Sequence, residues 1–401
     1  MEQNSINSLY QSYFRSIERT PTTFHRYLYD KIDWSSYVIG IRGERGVGKT
    51  TLILQHIKES FDDRNKALYV SLDNMWFANN TLSDLVEYFW THGGTHLFLD
   101  EVHRYQNWQR VLKNITDEYP DLHVVYTSSS ILKMEQKKSD MSRRQILYTL
   151  RGMSFREYLE FEGLYKCTAL TLDKLLANHS TLAATISSQI KPLVCWEDYV
   201  KHGFYPFYKR DSAGYGDRLQ EMVNTILMED LPSVEDVSYT TIIRIKKMLA
   251  VIAESVPQTP NMTELYQQIE TTREQGLKLL GILDRAGLLM LLSAGSKKIK
   301  KLAKPDKILM GNANLMYALC RESNIGAVRE TAFMCSVIAN HDVTYPDKGD
   351  FLLDGKYLFE VGGRKKSFEQ IKDIENSFLA VDDTEIGHGN RIPLWLFGLM
   401  Y

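Results

Sequence analysis

The sequence carries almost no net charge, few cysteines and no long hydrophobic run. Its formal net charge is −2, so no overall positive field attracts nucleic acid, and any such contact needs a local patch. The four cysteines are far apart and form no CxxC pair, which predicts reduced thiols in a cytoplasmic protein. No apolar stretch approaches the roughly 18 residues of a membrane span. The first residues lack the apolar segment of a signal peptide.

What is present is typical of a globular protein that alternates strands and helices. A chain of 401 residues accommodates two or three domains of about 100–200 residues each. Apolar runs predict strands at Tyr37–Arg42, Ala67–Leu72, His96–Leu99, Leu122–Thr127 and Ile146–Leu150, and helices at Thr50–Glu59, Leu82–Trp90 and Trp108–Glu118. This alternation predicts an α/β fold with a parallel sheet covered by helices on both faces.

Residues 43–50 read GERGVGKT, a complete GxxxxGK[ST] motif between a predicted strand and a predicted helix. Gly43, Gly46 and Gly48 allow backbone conformations in which successive N–H groups point at phosphate. The start of the following helix adds its positive dipole end.

Three side chains after the glycines complete the phosphate site. Lys49 supplies a charge for the β- and γ-phosphates, and the Thr50 hydroxyl is a ligand for Mg²⁺. Thr51 is placed to hydrogen-bond the α-phosphate. The motif therefore predicts binding of a nucleoside triphosphate with Mg²⁺.

An apolar strand that ends in two carboxylates supports this prediction. In HLFLDE (residues 96–101), Asp100 is expected to hold the magnesium shell and Glu101 to polarise the attacking water. The strand Ala67–Leu72 lies between the P-loop and Asp100 in the sequence, which favours the AAA-like branch of P-loop proteins. No NKxD-type base-reading motif is visible, which favours ATP over GTP.

Two further polar groups follow the fourth strand. Ser128 begins a serine run and is a candidate sensor of the γ-phosphate or the lytic water. The alternative is a serine-rich helix cap. Arg144, beside Arg143, is a candidate for stabilising γ-phosphoryl charge in cis or in trans. The alternative is a solvated basic pair.

After about Phe155 the pattern is mostly helical, and residues 258–310 then change character. Helices at Met262–Ile269 and Thr272–Ala286, followed by a strand at Leu288–Leu292 and a second strand after a tight turn, are typical of a winged helix. Residues 297–307 of the wing read KKIKKLAKPDK, a basic patch of six lysines that includes Lys304 and Lys307. Lys297, Lys298, Lys300 and Lys301 are the candidate nucleic-acid contacts. A solvated hairpin or a protein-binding surface are the alternatives.

The stretch SFREYLEF (Ser154–Phe161), together with the P-loop, LDE and TSSS, resembles prokaryotic AAA-type ATPases that carry a C-terminal domain of unknown function. Arg144 matches the arginine of the family's GR pair. EVGGRKKSFEQI (Glu360–Ile371) and IPLWLFGLMY (Ile392–Tyr401) resemble a Bacteroidetes-type subgroup. The resemblance implies an ATPase domain, a winged-helix region and a restriction-endonuclease-like C-terminal domain.

The C-terminal pattern predicts a helix at Ala327–Ala339 and strands at Asp350–Leu353, Tyr357–Val361 and Ile392–Phe397. The resemblance implies a D…ExK metal site, for which Asp350 and Glu360 are the candidate ligands, with Glu330 as an auxiliary acid. The position of the expected lysine is Gly362, and Lys365 or Lys366 could swing back to Glu360, although neither has the expected spacing. Loss of that cation favours a degenerate structural or binding domain over an active nuclease.

These features predict three regions: a P-loop ATPase domain at 1–155, a helical and winged-helix region at 156–320, and a restriction-endonuclease-like domain at 321–401. The first hypothesis is an ATP-dependent switch with a protein partner or a second copy of itself. The alternatives are a DNA-binding module with a vestigial ATPase and a nucleotide-gated nuclease.

Overall fold

A computed structural model describes residues 3–128, 143–210, 212–233, 237–255, 261–294, 305–320 and 322–401. The chain divides into two compact units. The first unit comprises Met1–Arg151 with Asp230–Asp236, and the second comprises Gly152–Glu229 with Val237–Tyr401. Within the described ranges, no helix has the length and apolarity needed to cross a membrane.

The first unit is built on a five-stranded sheet. Its strands are β1 (Val38–Arg42), β2 (Ala67–Ser71), β3 (His96–Asp100), β4 (His123–Ser128) and β5 (Ile146–Thr149), and its helices are α1 (Gln3–Arg19), α2 (Lys49–Ser60), α3 (Leu82–Thr91) and α4 (Trp108–Glu118). All four strand pairings are parallel. Both the predicted elements and the predicted parallel α/β sheet are confirmed.

The strand order is β2-β3-β4-β1-β5. In the sheet, β4 therefore lies between β1 and β3. The strand β2, which lies between them in the sequence, forms one edge of the sheet. All but one residue of each central strand is buried, as is usual for a parallel sheet in an α/β fold. This order places the ends of β1, β3 and β4 side by side at the carboxyl edge, where ligands of open α/β sheets bind.

The second unit begins with a helical region and then adds a hairpin. Its helices up to the hairpin are α5 (Phe155–Phe161), α6 (Leu172–Ser187), α7 (Pro192–Asp198), α8 (Tyr215–Thr225), α9 (Tyr239–Ser255), α10 (Met262–Gln268) and α11 (Arg273–Arg285). The antiparallel strands β6 (Leu289–Leu292) and β7 (Lys307–Met310) follow. The predicted succession of two helices and a hairpin is present. Its winged-helix identity stays a prediction.

The second unit also contains a five-stranded sheet, formed by residues 343–393. It contains β8 (Val343–Thr344), β9 (Phe351–Leu353), β10 (Tyr357–Gly362), β11 (Ser377–Val381) and β12 (Arg391–Pro393), in the order β12-β11-β10-β9-β8, together with helices α12 (Ala313–Leu319), α13 (Ile325–Val337) and α14 (Leu394–Phe397). The predicted strand at Ile392–Phe397 is wrong beyond Pro393, since Leu394–Phe397 is a fully buried helical turn. A short apolar run does not distinguish a buried strand from a buried helix.

Candidate functional site

The phosphate-binding loop connects the end of β1 to the start of α2. Gly46 has a φ of 84° and Gly48 a φ of 97°, in the left-handed region that glycine adopts at little cost. Gly43 is required for another reason, because a Cβ there would lie 2.2 Å from the carbonyl oxygen of Leu150. The backbone of this loop therefore requires glycine at these three positions.

Lys49 begins α2 and is buried. Its ammonium donates to the carbonyl oxygens of Gly43 at 3.1 Å and Glu44 at 2.8 Å, which holds it within the loop. Burial lowers the pKa of Lys49, and the charges of Glu101 and Asp100 only partly oppose that effect. The negative charge of a phosphate group in this loop would favour the protonated form of the ammonium.

Asp100 ends β3 and is only 3% exposed. Its carboxylate accepts hydrogen bonds from the hydroxyls of Thr50 at 2.7 Å, Tyr69 at 2.9 Å and Thr127. Burial and the neighbouring carboxylate raise the pKa of Tyr69, so the phenol remains a donor. The structure therefore brings Thr50 and Asp100 into contact, and Thr51 follows in the first turn of α2.

Glu101 follows Asp100 in an unusual backbone conformation. Its φ of 55° lies in the left-handed region, which costs a non-glycine residue on the order of 1 kcal/mol and often marks a functional site. The backbone N–H donates to the Thr127 hydroxyl at 3.2 Å. The carboxylate lies 3.3 Å from Nε2 of His103.

Ser128 ends β4 directly beside the P-loop strand, in register with Arg42. It is fully buried, and its hydroxyl lies 3.2 Å from Nδ1 of His103. Ser128 therefore belongs to the same cluster as Glu101. The rest of the serine run lies outside the described residues.

Arg144 lies elsewhere on the first unit. It comes two residues before β5, whose first residue pairs with Ile39 near the start of β1. Arg144 therefore lies at the amino-terminal end of these strands, whereas the P-loop follows their carboxyl end. Its guanidinium pairs with Asp117 at 3.0 Å. The structure thus does not bring Arg144 to the phosphate loop of its own chain, and a role in trans stays a prediction.

The site also contains residues that the sequence argument did not select. The carboxylate of Asp230 lies 2.8 Å from Arg104, 3.3 Å from Arg45 in the P-loop and 3.8 Å from His103. Burial alone would raise the pKa of Asp230, but the hydrogen bond with His103 and the two guanidinium groups lower it overall. His103, two positions after Glu101, could have been noticed from the motif; Asp230 gives no such signal.

Comparison with known proteins bears on the same stretch of chain. Residues 35–159, which include the P-loop, Asp100, Glu101, His103 and Ser128, match the family described as AAA domain. This stretch is therefore similar to AAA-type P-loop domains, which agrees with the P-loop geometry described above.

The rest of the chain has similarity of a less informative kind. Residues 195–326 match a domain of unknown function, DUF8612. Two proteins of Methanocaldococcus jannaschii, both called uncharacterized, are similar over most of the chain. MJ1637 is 26% identical over 83% of this chain and 77% of its own length, and MJ1544 is 21% identical over 82% and 73%.

Among solved structures, AMPPCP-bound DnaA from Aquifex aeolicus is 17% identical and covers 68% of this chain and 85% of its own, with a TM-score of 0.26. PCH-2 of C. elegans is 18% identical over 39% of this chain and 45% of its own, with a TM-score of 0.25.

The proposed C-terminal acids lie in the second unit, and each has a lysine partner. Asp350 precedes β9 and pairs with Lys307 at 3.1 Å, and Glu360 on β10 pairs with Lys366 at 2.7 Å. A Cβ at Gly362 would lie 2.7 Å from the stem of Lys366, so this side chain fills the space beside the position where the family lysine is expected. Within the described ranges, no cluster of three His, Cys, Asp or Glu side chains is arranged to hold a metal ion.

Lys307 has a second carboxylate partner, Glu330 on α13, at 2.7 Å. Lys307 is the only lysine of the predicted basic patch within the described residues, since Lys297, Lys298, Lys300, Lys301 and Lys304 fall in residues 295–304. Its side chain is only 7% exposed, so it is part of the interior and not of a DNA-facing surface. The four candidate contacts remain a prediction.

Glu330 predicts a pH dependence of stability in the second unit. Burial, opposed in part by the charge of Lys307, raises the pKa of Glu330 to about 7 from 4.5. A carboxyl whose pKa is raised in the folded state contributes stability at low pH that is lost as pH rises through that pKa. Between pH 5.5 and 8.5 the free energy of unfolding is expected to fall by on the order of 1–3 kcal/mol from this group.

Urea denaturation at both pH values measures this change, with Glu330→Gln as the comparison. The glutamine variant has no carboxyl to titrate, so its stability is expected to fall less over the same range. An equal pH dependence in the two proteins would contradict the assignment.

Proposed function

We propose that the AAA domain binds ATP with Mg²⁺ and hydrolyses it, and that the ATP cycle acts as a switch on the rest of the chain. The observation that carries the proposal is the hydrogen bond between Thr50 and Asp100, with Glu101 adjacent. It joins the P-loop hydroxyl to the acid at the end of β3, which is the pair that holds Mg²⁺ in P-loop proteins.

The chain's own residues divide the work of the proposed reaction. The loop N–H groups and Lys49 bind the phosphates, and Thr50 and Asp100 hold Mg²⁺, which supplies charge neutralisation when bound. Glu101 orients the attacking water and accepts its proton. Ser128 lies beside this group and is suited to contact the γ-phosphate or the water.

The switch part of the proposal is supported by the course of the chain. The polypeptide leaves the first unit after Arg151, and Asp230–Asp236 belongs to that unit again. Asp230 accepts a hydrogen bond from Arg45 in the P-loop. If phosphate binding shifts Arg45, the position of Asp230 and of the segment that it begins is expected to change as well. Order changes of this kind at phosphate-binding loops drive many nucleotide switches.

A Lys49→Ala variant tests nucleotide binding. Removal of the ammonium deletes a charge-assisted contact to phosphate, so the affinity for ATP is expected to fall by roughly tenfold to a hundredfold. Isothermal titration with ATP and Mg²⁺ measures it, and GTP in a parallel titration tests the preference for ATP. Lys58→Ala, at the other end of α2, is the matched control and is expected to bind as the parent does.

If the wild-type protein binds no ATP, the proposal is wrong. Equal affinity for ATP in Lys49→Ala and the parent would show that the P-loop is not the ATP-binding site. If the protein binds ATP but releases no phosphate, it is a nucleotide-binding module, and the proposed hydrolysis is wrong.

A further inference from the structure

His103 lies between Glu101 and Ser128, two of the candidate catalytic residues, although no phosphate-binding motif includes it. It belongs to the turn that follows Glu101 and is 1% exposed. Its ring contacts two functional candidates through different nitrogens: Nδ1 lies 3.2 Å from the hydroxyl of Ser128 and Nε2 lies 3.3 Å from the carboxylate of Glu101. One imidazole therefore connects the sensor candidate to the proposed general base.

The ring orientation has a third determinant. Asp230 faces the same nitrogen, Nε2, at 3.8 Å, and it is itself fixed by Arg104 at 2.8 Å and Arg45 at 3.3 Å. Two carboxylates on one side of the ring require a proton on Nε2, since a bare nitrogen there would face only acceptors. Nδ1 then faces the Ser128 hydroxyl, which is able to donate to this nitrogen or accept from it.

We infer that His103 is a positioning residue that holds the Glu101 carboxylate in place and ties it to Ser128, with Asp230 fixing the ring. This inference rests on the proposed ATPase function and deepens it. The strained backbone of Glu101, with its φ of 55°, places the carboxylate near the imidazole, and the Nε2–H donor restrains a side chain that otherwise has several rotamers. A base held in one rotamer activates water more effectively than a mobile one.

A double-mutant cycle separates positioning from structural support. His103→Ala is expected to lower kcat by roughly tenfold to a hundredfold, with the Kd for ATP changed by less than about threefold. In a Glu101→Gln background the same substitution is expected to change kcat by less than about twofold, because the group it positions is already gone. His103→Gln, which retains an N–H donor near the position of Nε2, is expected to recover most of the loss.

His56→Gln is the matched control. His56 is a buried histidine of the same unit that stacks on Trp34 with ring centroids 3.7 Å apart, and it contacts none of the site residues named here. It is expected to lower the melting temperature without a change in kcat. If His103→Ala retains the parental kcat, or if its effect is as large in the Glu101→Gln background as in the parent, the inference is wrong.

The inference can also be tested without turnover, so its failure is distinct from that of the proposed function. In protein with ¹⁵N-labelled histidine, the Nε2–H tautomer of His103 is expected from its nitrogen shifts, with His103→Gln providing the assignment. Both Glu101→Gln and Asp230→Asn are expected to move the Nε2 resonance. A ring that carries its proton on Nδ1, or that responds to neither substitution, overturns the inference even if ATP is hydrolysed normally; the expected shifts would support it even in a protein that hydrolyses no ATP.

Discussion

A Glu101→Gln variant is expected to bind ATP with nearly parental affinity and to hydrolyse it about 100- to 1,000-fold more slowly. The amide is close in shape to the carboxylate and keeps an oxygen near His103, but it cannot accept the proton of the attacking water at neutral pH. Binding depends on the P-loop, Lys49 and the Thr50–Asp100 pair, which the substitution leaves intact. The expected effect is therefore on kcat and not on the Kd for ATP.

Phosphate release at saturating ATP and titration of ATP in the presence of Mg²⁺ measure the two quantities separately. Glu118→Gln is the matched control, because Glu118 is an exposed acid at the end of α4 in the same unit. It is expected to retain both parental values. Parental turnover in Glu101→Gln would remove this residue from the mechanism and leave Asp100 and the metal shell to explain any hydrolysis.

The part of this site that can be predicted from sequence is the part made of local motifs. The P-loop glycines, Lys49 and Thr50 follow one another within 43–50, and Asp100 and Glu101 end one apolar strand. A parallel sheet brings the carboxyl ends of its strands to a common edge. The proximity of Thr50 to Asp100, which lie 2.7 Å apart, could therefore be predicted from the sequence pattern. Ser128 follows by the same reasoning from the end of β4.

The part that could not be predicted depends on pairings distant in the chain. Asp230 and Arg104 are 126 positions apart, and nothing in the composition around Asp230 distinguishes it from a surface acid. Arg144 shows a related limit. Its motif made it a candidate in cis or in trans, but the motif could not indicate that its place before β5 lies at the opposite end of the strands from the P-loop of the same chain. The role in trans stays a prediction.

The C-terminal sheet shows a related limit. Lys366 pairs with Glu360 at 2.7 Å, although its spacing in the sequence differs from that of the family lysine. A turn between β10 and β11 brings its stem over Gly362, and a linear motif contains no information on such a turn. The sequence showed the loss of the lysine at the family spacing and left open whether Lys365 or Lys366 could swing back, and the structure places Lys366 beside Glu360.

Lys307→Met is expected to destabilise the second unit by up to about 3–5 kcal/mol, because it leaves two partly buried carboxylates without their cation. Lys307 Nζ lies 2.7 Å from Glu330 and 3.1 Å from Asp350, so it links the β6–β7 hairpin to α13 and to the residue that precedes β9. Burial opposes the charge of Lys307, but the two carboxylates raise its pKa overall, so the side chain is a cation at neutral pH. Methionine preserves most of the stem, and the loss is thus mainly electrostatic.

Urea denaturation followed by circular dichroism at pH 8 measures the loss. The control is Lys201→Met, which breaks an exposed i,i+4 pair with Glu197 at 2.6 Å and is expected to cost less than about 0.5 kcal/mol. A Lys307→Met, Glu330→Gln double variant is expected to be more stable than Lys307→Met alone, since it removes one uncompensated charge. Equal losses for Lys307→Met and Lys201→Met would show that the contacts of Lys307 with Glu330 and Asp350 do not hold these elements together.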